Sequence, residues 1–96
     1  MTVRFTPTAE ARFLETIAYL LDENRSAAWA FYDRALSSIS RLSDFPNLGR
    51  VIPEFSGLPY REIIVRPYRF FYRVAEDMVW VVDVWHDAQI PDEPQS

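Results

Sequence analysis

Residues 59 to 73 read Pro59-Tyr-Arg-Glu-Ile-Ile-Val-Arg-Pro-Tyr-Arg-Phe-Phe-Tyr-Arg73. The stretch predicts two short strands, Tyr60 to Arg66 and Tyr68 to Val74. Its β-branched and aromatic residues suit a pleated, half-buried surface. Along the second strand Tyr68, Phe70, Tyr72 and Val74 share one face, while Arg69, Phe71 and Arg73 share the other. The aromatic face can serve as core. The opposite face would then display guanidinium groups beside a ring. Four of the ten arginines of the chain fall in this stretch: Arg61, Arg66, Arg69 and Arg73.

Composition bounds what such a sheet can belong to. Ninety-six residues, 49% hydrophobic and rich in aromatics, suffice for one domain with a real core. No apolar run approaches the length of a membrane span. The first residues lack the apolar segment of a secretion signal, so a cytoplasmic protein is expected. The absence of cysteine removes disulfide and thiolate chemistry, and a single histidine argues against a metal site. No cofactor is expected. Net charge is −4, which argues against direct nucleic-acid binding. The charge is unevenly spread: residues 47–73 hold five Arg against Glu54 and Glu62, whereas residues 74–96 hold six acids and no base. Every basic residue is Arg, which favours planar, two-pronged recognition of carboxylate or phosphate.

Working outward, Val3 to Phe5 reads as a strand. Thr6 is placed to cap a helix whose first residue is Pro7. Ala9, Phe13, Ile17 and Leu20 or Leu21 form its apolar stripe, ending near Asp22 or Glu23. Asn24 and Arg25 read as a turn, with Ser26 capping a second helix. Its stripe is Ala28, Phe31 or Tyr32, Ala35, Ile39 and Leu42, and it ends near Ser43. So short a connection predicts an antiparallel helical hairpin. A loop follows, holding both glycines, Gly49 and Gly57.

After the two Arg-bearing strands, Ala75-Glu76-Asp77 reads as a three-residue turn into a third long strand, Val79 to Trp85. That register sets Arg69 opposite Asp83 and groups Trp80 and Val82 with Tyr72 and Phe70. This register keeps Asp83 out of the core. Residues 1–86 form the domain, and residues 87–96 an acidic, mobile tail. The predicted fold is α+β, in the order β-α-α-β-β-β. A helical hairpin covers one face of a curved, mostly antiparallel sheet of about four strands. The other face is partly open and carries the arginines.

This order and its motifs resemble the RelE/ParE superfamily of toxins from bacterial type II toxin–antitoxin modules. The resemblance rests on Thr6-Pro7-x-Ala9, Pro46-x-x-Gly49-Arg50, Gly57, Arg61-Glu62-Ile63, Pro67-Tyr68-Arg69-Phe70-Phe71-Tyr72-Arg73 and Val84-Trp85-His86. It covers nearly the whole chain. The long helical hairpin, the Pro-x-x-Gly-Arg loop and the Tyr-Arg-x-x-Tyr strand are more similar to the ParE branch.

That resemblance implies a toxin held in a hetero-oligomer by a cognate antitoxin, a ParD-like ribbon-helix-helix protein. It also implies inhibition of DNA gyrase through protein contacts rather than catalysis. Arg50, Arg61, Arg66, Arg69, Phe71, Arg73 and Trp85 would form the surface for target or antitoxin. Antitoxin carboxylates would pair with Arg61, Arg69 and Arg73. The alternative is the RelE-like activity, ribosome-dependent mRNA cleavage, with Arg69, Arg73 and His86 as the catalytic set. Glu54 or Glu62 could supply a carboxylate, but the lysines of RelE-like enzymes are absent. A relative that binds an antitoxin without being toxic is a third reading. His86 also has a plain structural reading, as a packed residue at a strand end.

Overall fold

The computed structural model describes residues 1–94. The elements are β1 (Thr2–Phe5), α1 (Pro7–Glu23), α2 (Arg25–Ser40), β2 (Arg50–Val51), β3 (Arg61–Val65), β4 (Tyr68–Ala75) and β5 (Met78–His86). Single 3₁₀ turns lie at Arg41–Ser43 and Pro53–Phe55. The sheet has five strands in the order β1-β5-β4-β3-β2, one more than expected because Arg50–Val51 pairs with β3. All neighbours are antiparallel except β1, which lies parallel to β5. The helical hairpin supplies the long crossover that brings β1 and the later strands into one sheet.

The helices form where the stripes placed them. The Thr6 hydroxyl accepts the Ala9 N–H at 3.2 Å, with Pro7 in the first turn. The hairpin connection is shorter than expected. Asn24 alone makes it: its N–H closes α1 on the Leu20 carbonyl, and its side chain caps α2 by accepting the Ala27 N–H at 3.0 Å. Ser26 therefore lies inside α2 and caps nothing. Ala9, Phe13 and Ile17 of α1, with Phe31, Ala35 and Ile39 of α2, pack on Ile63, Val65, Phe70, Tyr72, Val79 and Val81 of the sheet.

The register of the last hairpin differs from the one preferred on sequence. The turn is two residues long, with Ala75 opposite Met78, and Glu76 takes a left-handed φ of 56°. A bulge then shifts the register between Phe71 and Tyr72, so that Tyr72 faces Val81 while Phe71 faces Asp83. Arg69 lies opposite Trp85 and Arg73 opposite Trp80. The extra residue lets Val79, Val81 and Val84 all reach the helix side, and Val82 and Trp85 reach the other. Asp83 is buried after all. Arg12 of α1 reaches it at 3.2 Å and supplies the countercharge.

The second face of the sheet is not open. Ile52, Phe71, Val82 and Trp85 make a second, smaller core there, with Phe55, Tyr60 and Trp80 packed around it. Residues 52–60 fold over this face because Ile52 and Phe55 bring enough apolar surface to cover Phe71. Beyond β5 the Asp87 N–H donates to the Pro67 carbonyl at 2.8 Å, and Pro91 and Pro94 are buried. The described part of the tail, expected to be mobile, thus touches the domain at these points, and Gln95 and Ser96 lie outside the described residues.

Candidate functional site

The site is built where the loop 46–60 crosses β3 and β4. Tyr72, inward-facing on β4, places its hydroxyl under the loop. It accepts the Gly49 N–H at 2.9 Å and donates to the Pro46 carbonyl at 2.7 Å. Gly49 lies so close to the sheet that a Cβ there would meet the Glu62 carbonyl at 2.5 Å and the Tyr72 ring at 2.7 Å. The glycine is required by that approach. Arg61, opposite Tyr72, adds a third tie by donating to the Gly49 carbonyl at 2.8 Å. Burial pushes the Tyr72 phenol up, against the lowering effects of its bond to Gly49 and the nearby Arg61.

Glu62 and Arg69 lie on the outer face, next to Phe71, and together they make a charged chain. Arg69 Nε donates to Glu62 Oε1 at 2.7 Å, and Arg50 Nε donates to Glu62 Oε2 at 2.6 Å. Arg69 Nη1 and Nη2 grip both oxygens of Glu54, at 2.9 and 2.7 Å. Such fork-to-fork pairs are the strong form of the ion pair. Glu62 is 1% exposed and Arg69 5%, so each is neutralised inside the protein. The Arg69 guanidinium holds the Glu54 carboxyl down at about 2, with burial opposing it. Arg69 is itself pushed up, chiefly by its bonds to Glu54. Its guanidinium also lies 5.1 Å from the centre of the Phe71 ring.

Each residue expected at the site can now be placed. Arg69, Phe71 and Trp85 are buried and hold the second core and its cover in shape. Arg66 is exposed and pairs loosely with Asp87 at 3.3 Å. Arg50 is exposed beyond its bond to Glu62. Arg73 is half-buried, and its Nε is buried without a hydrogen-bond partner among the described residues. His86 stands on the opposite side of the sheet from Arg69: it pairs with Tyr68, its ring meets the Tyr68 ring edge-on at 5.1 Å, and its Nδ1 accepts the Ala88 N–H. The structure therefore does not bring His86 together with Arg69 and Arg73. Among the described residues no group of acids and histidine is arranged to hold a metal ion.

Two roles were not read from sequence. Arg12 pairs with Asp83 and lies 4.6 Å over the Trp85 ring. Glu54 and Glu62 neutralise Arg69, while Asp83, expected opposite it, pairs with Arg12. Parity along β3 was a usable signal for Glu62, which faces Phe71 in the ladder. The loop position of Glu54 carried none.

A helical hairpin on one face of a five-stranded, mostly antiparallel sheet, with a loop covering the other face and Arg69 neutralised beneath it, defines a small α+β protein. The profile of the ParE toxin of type II toxin–antitoxin systems (parDE) matches residues 3–91. The chain belongs to the ParE toxin family. It is also similar to a chain in the solved structure titled "Chromosomal ParDE TA system from P. aeruginosa", with a TM-score of 0.73 and 17% identity. That likeness covers 90% of this chain and 95% of the other, and at this identity it concerns the fold. No curated protein matches the sequence.

Proposed function

We propose that this ParE-family toxin acts by binding proteins: a ParD-like ribbon-helix-helix antitoxin that keeps it inactive, and DNA gyrase as the target once it is free. The observation that carries this reading is the state of Arg69. A catalytic arginine must meet the reacting phosphate, whereas Arg69 is committed to Glu54 and Glu62. The one histidine lies across the sheet. General acid–base cleavage of RNA needs such groups on one side of the substrate, so the geometry favours inhibition by contact. Arg50, Arg61, Arg66 and Arg73 keep enough exposure to meet carboxylates of a partner. No helix among the described residues is long and apolar enough to cross a membrane, and both proposed partners act in the cytoplasm.

The test is a supercoiling assay with purified gyrase and antitoxin-free protein, with linear cleavage product scored in the same gel. Loss of supercoiling with accumulating cleaved DNA is the expected result. No effect at high excess of folded protein would overturn the gyrase target. Cleavage of mRNA in cells that disappears in His86→Gln, with an unchanged melt, would establish the RelE-like alternative.

A further inference from the structure

We infer that the recess where β4 runs on past the start of β3 is a carboxylate-binding site for an acidic side chain of a partner protein. Arg73 and Arg61 are its cations. The inference rests on the reading of this protein as one that works through protein contacts, and it adds a specific recognition pocket to it.

The recess follows from strand length. β4 has eight residues and β3 five, and the pairing begins with Arg61 opposite Tyr72. Residues 73 to 75 therefore pair with β5 alone. The loop residues Asn47, Val51 and Tyr60 close the space into a cavity of about 230 Å³. Two arginines line it, and among the described residues no aspartate or glutamate does. That contrasts with Arg69, which has two carboxylates of its own within 2.7 Å.

Arg73 has no ion pair among the described residues, and its Nε–H is buried and unsatisfied. A buried donor without an acceptor is costly, and a planar guanidinium is matched best by a carboxylate taken fork-to-fork. Arg61 is held in place by its bond to the Gly49 carbonyl, so one cation of the pair is already positioned. The Tyr72 hydroxyl has its partners in Gly49 and Pro46 and does not compete. Val51 and Val74, 43% and 38% exposed, form apolar shoulders. Together these features fit a glutamate flanked by aliphatic residues.

Nucleic-acid phosphate fits less well. A chain of net charge −4 repels a polyanion, and the cations make a single recess rather than a stripe along a backbone.

The test is a titration of the full chain followed by NMR of the arginine side-chain Nε–H groups. The probes are Ac-Val-Glu-Val-NH2, Ac-Val-Gln-Val-NH2, inorganic phosphate and a short oligothymidylate. The glutamate peptide should shift the Arg73 Nε–H saturably, and the glutamine peptide should bind about tenfold more weakly, the loss of one charge-assisted pair. Arg73→Gln should abolish the saturable shift that the glutamate peptide causes at the Arg61 Nε–H, and the exposed Arg25→Gln should leave the response intact. If Arg73→Gln does not fold, Arg73→Lys, which keeps the charge but not the fork, should weaken binding.

Equal binding of both peptides, tighter binding of phosphate or oligothymidylate, or no saturable shift would overturn the proposal. Gyrase inhibition by a protein whose Arg73 ignores the peptide would sink the pocket alone. A specific Arg73 response without gyrase inhibition would leave the pocket standing and remove the target.

Discussion

The hydroxyl of Tyr72 and the backbone of Gly49 are joined by a 2.9 Å hydrogen bond, with the glycine pressed so close to the sheet that no side chain fits. This bond fastens the loop that carries Arg50 and lines the recess beside Arg73. Gly49→Ala should therefore displace the loop and destabilise the fold by about 2–3 kcal/mol, the scale of overpacking. Tyr72→Phe leaves the Gly49 N–H and the Pro46 carbonyl without their partner and should cost about 1–3 kcal/mol. Urea unfolding of both variants measures this. A neutral Gly49→Ala would show that the loop is not held as described.

Arg69 should behave as a structural ion. Arg69→Met leaves the buried Glu62, which is 1% exposed, with Arg50 as its one remaining countercharge among the described residues and removes the partner of its other oxygen, and should cost about 3–5 kcal/mol. Adding Glu62→Gln should recover part of that loss, because the buried carboxylate that lost Arg69 is gone and the exposed Arg50 returns to solvent. A double-mutant cycle by urea unfolding gives the coupling directly. Additive losses would contradict the buried pair.

Acid should loosen the cover over the second core. Arg69 depresses the Glu54 carboxyl from its ordinary 4.5 to about 2. A depressed carboxyl binds protons more weakly in the folded state than in the unfolded one. Its contribution is complete above the unfolded value of about 4.5 and is lost as pH falls towards about 2. Glu54 is 39% exposed, so solvent reduces the size of the effect. Melting temperatures of wild type and Glu54→Gln, compared from pH 7 downward, should converge in that window. Parallel curves would remove the Arg69–Glu54 pair as their cause.

Phe71 tests whether the second face is covered. It is 0% exposed between Ile52, Val82 and Trp85. Phe71→Ala should cost about 3–5 kcal/mol, like any large core truncation. On an open face the same change would cost little. Thermal unfolding separates the two.

His86→Gln should leave stability, and the gyrase inhibition proposed above, within a small margin of wild type. Its ring contacts Tyr68 from a half-buried position, and its Nδ1 acts only on a local turn. Supercoiling and melting assays on the variant check both statements. A large loss of inhibition with an unchanged melt would give His86 a functional part.

The helices and the aromatic core were legible in sequence because their signals are local. The Phe13–Ile17 stripe, the Thr6 cap and the alternation of Tyr68, Phe70 and Tyr72 each depend on neighbours a few residues away. The family motif Pro46-x-x-Gly49-Arg50 was visible too, although the reason for its glycine was not, since Tyr72 approaches it from 23 residues along the chain.

The register of β4 on β5 was not legible, and it decided the faces. A bulge opposite Phe71 moves Val82 and Asp83 relative to Val81, and its benefit is shared among Ile52, Trp85 and Arg12, which the sequence does not show to be neighbours. Arginines at 61, 69 and 73 looked alike in sequence, yet the fold gave Arg69 two carboxylates and Arg61 a carbonyl, while Arg73 has no ion pair among the described residues. Side-chain alternation told which way Tyr68 to Arg73 of β4 point, but not the residues of β5 beyond the bulge. Which charges meet there depends on segments distant in sequence, and only packing the loop 46–60 onto the sheet decides that.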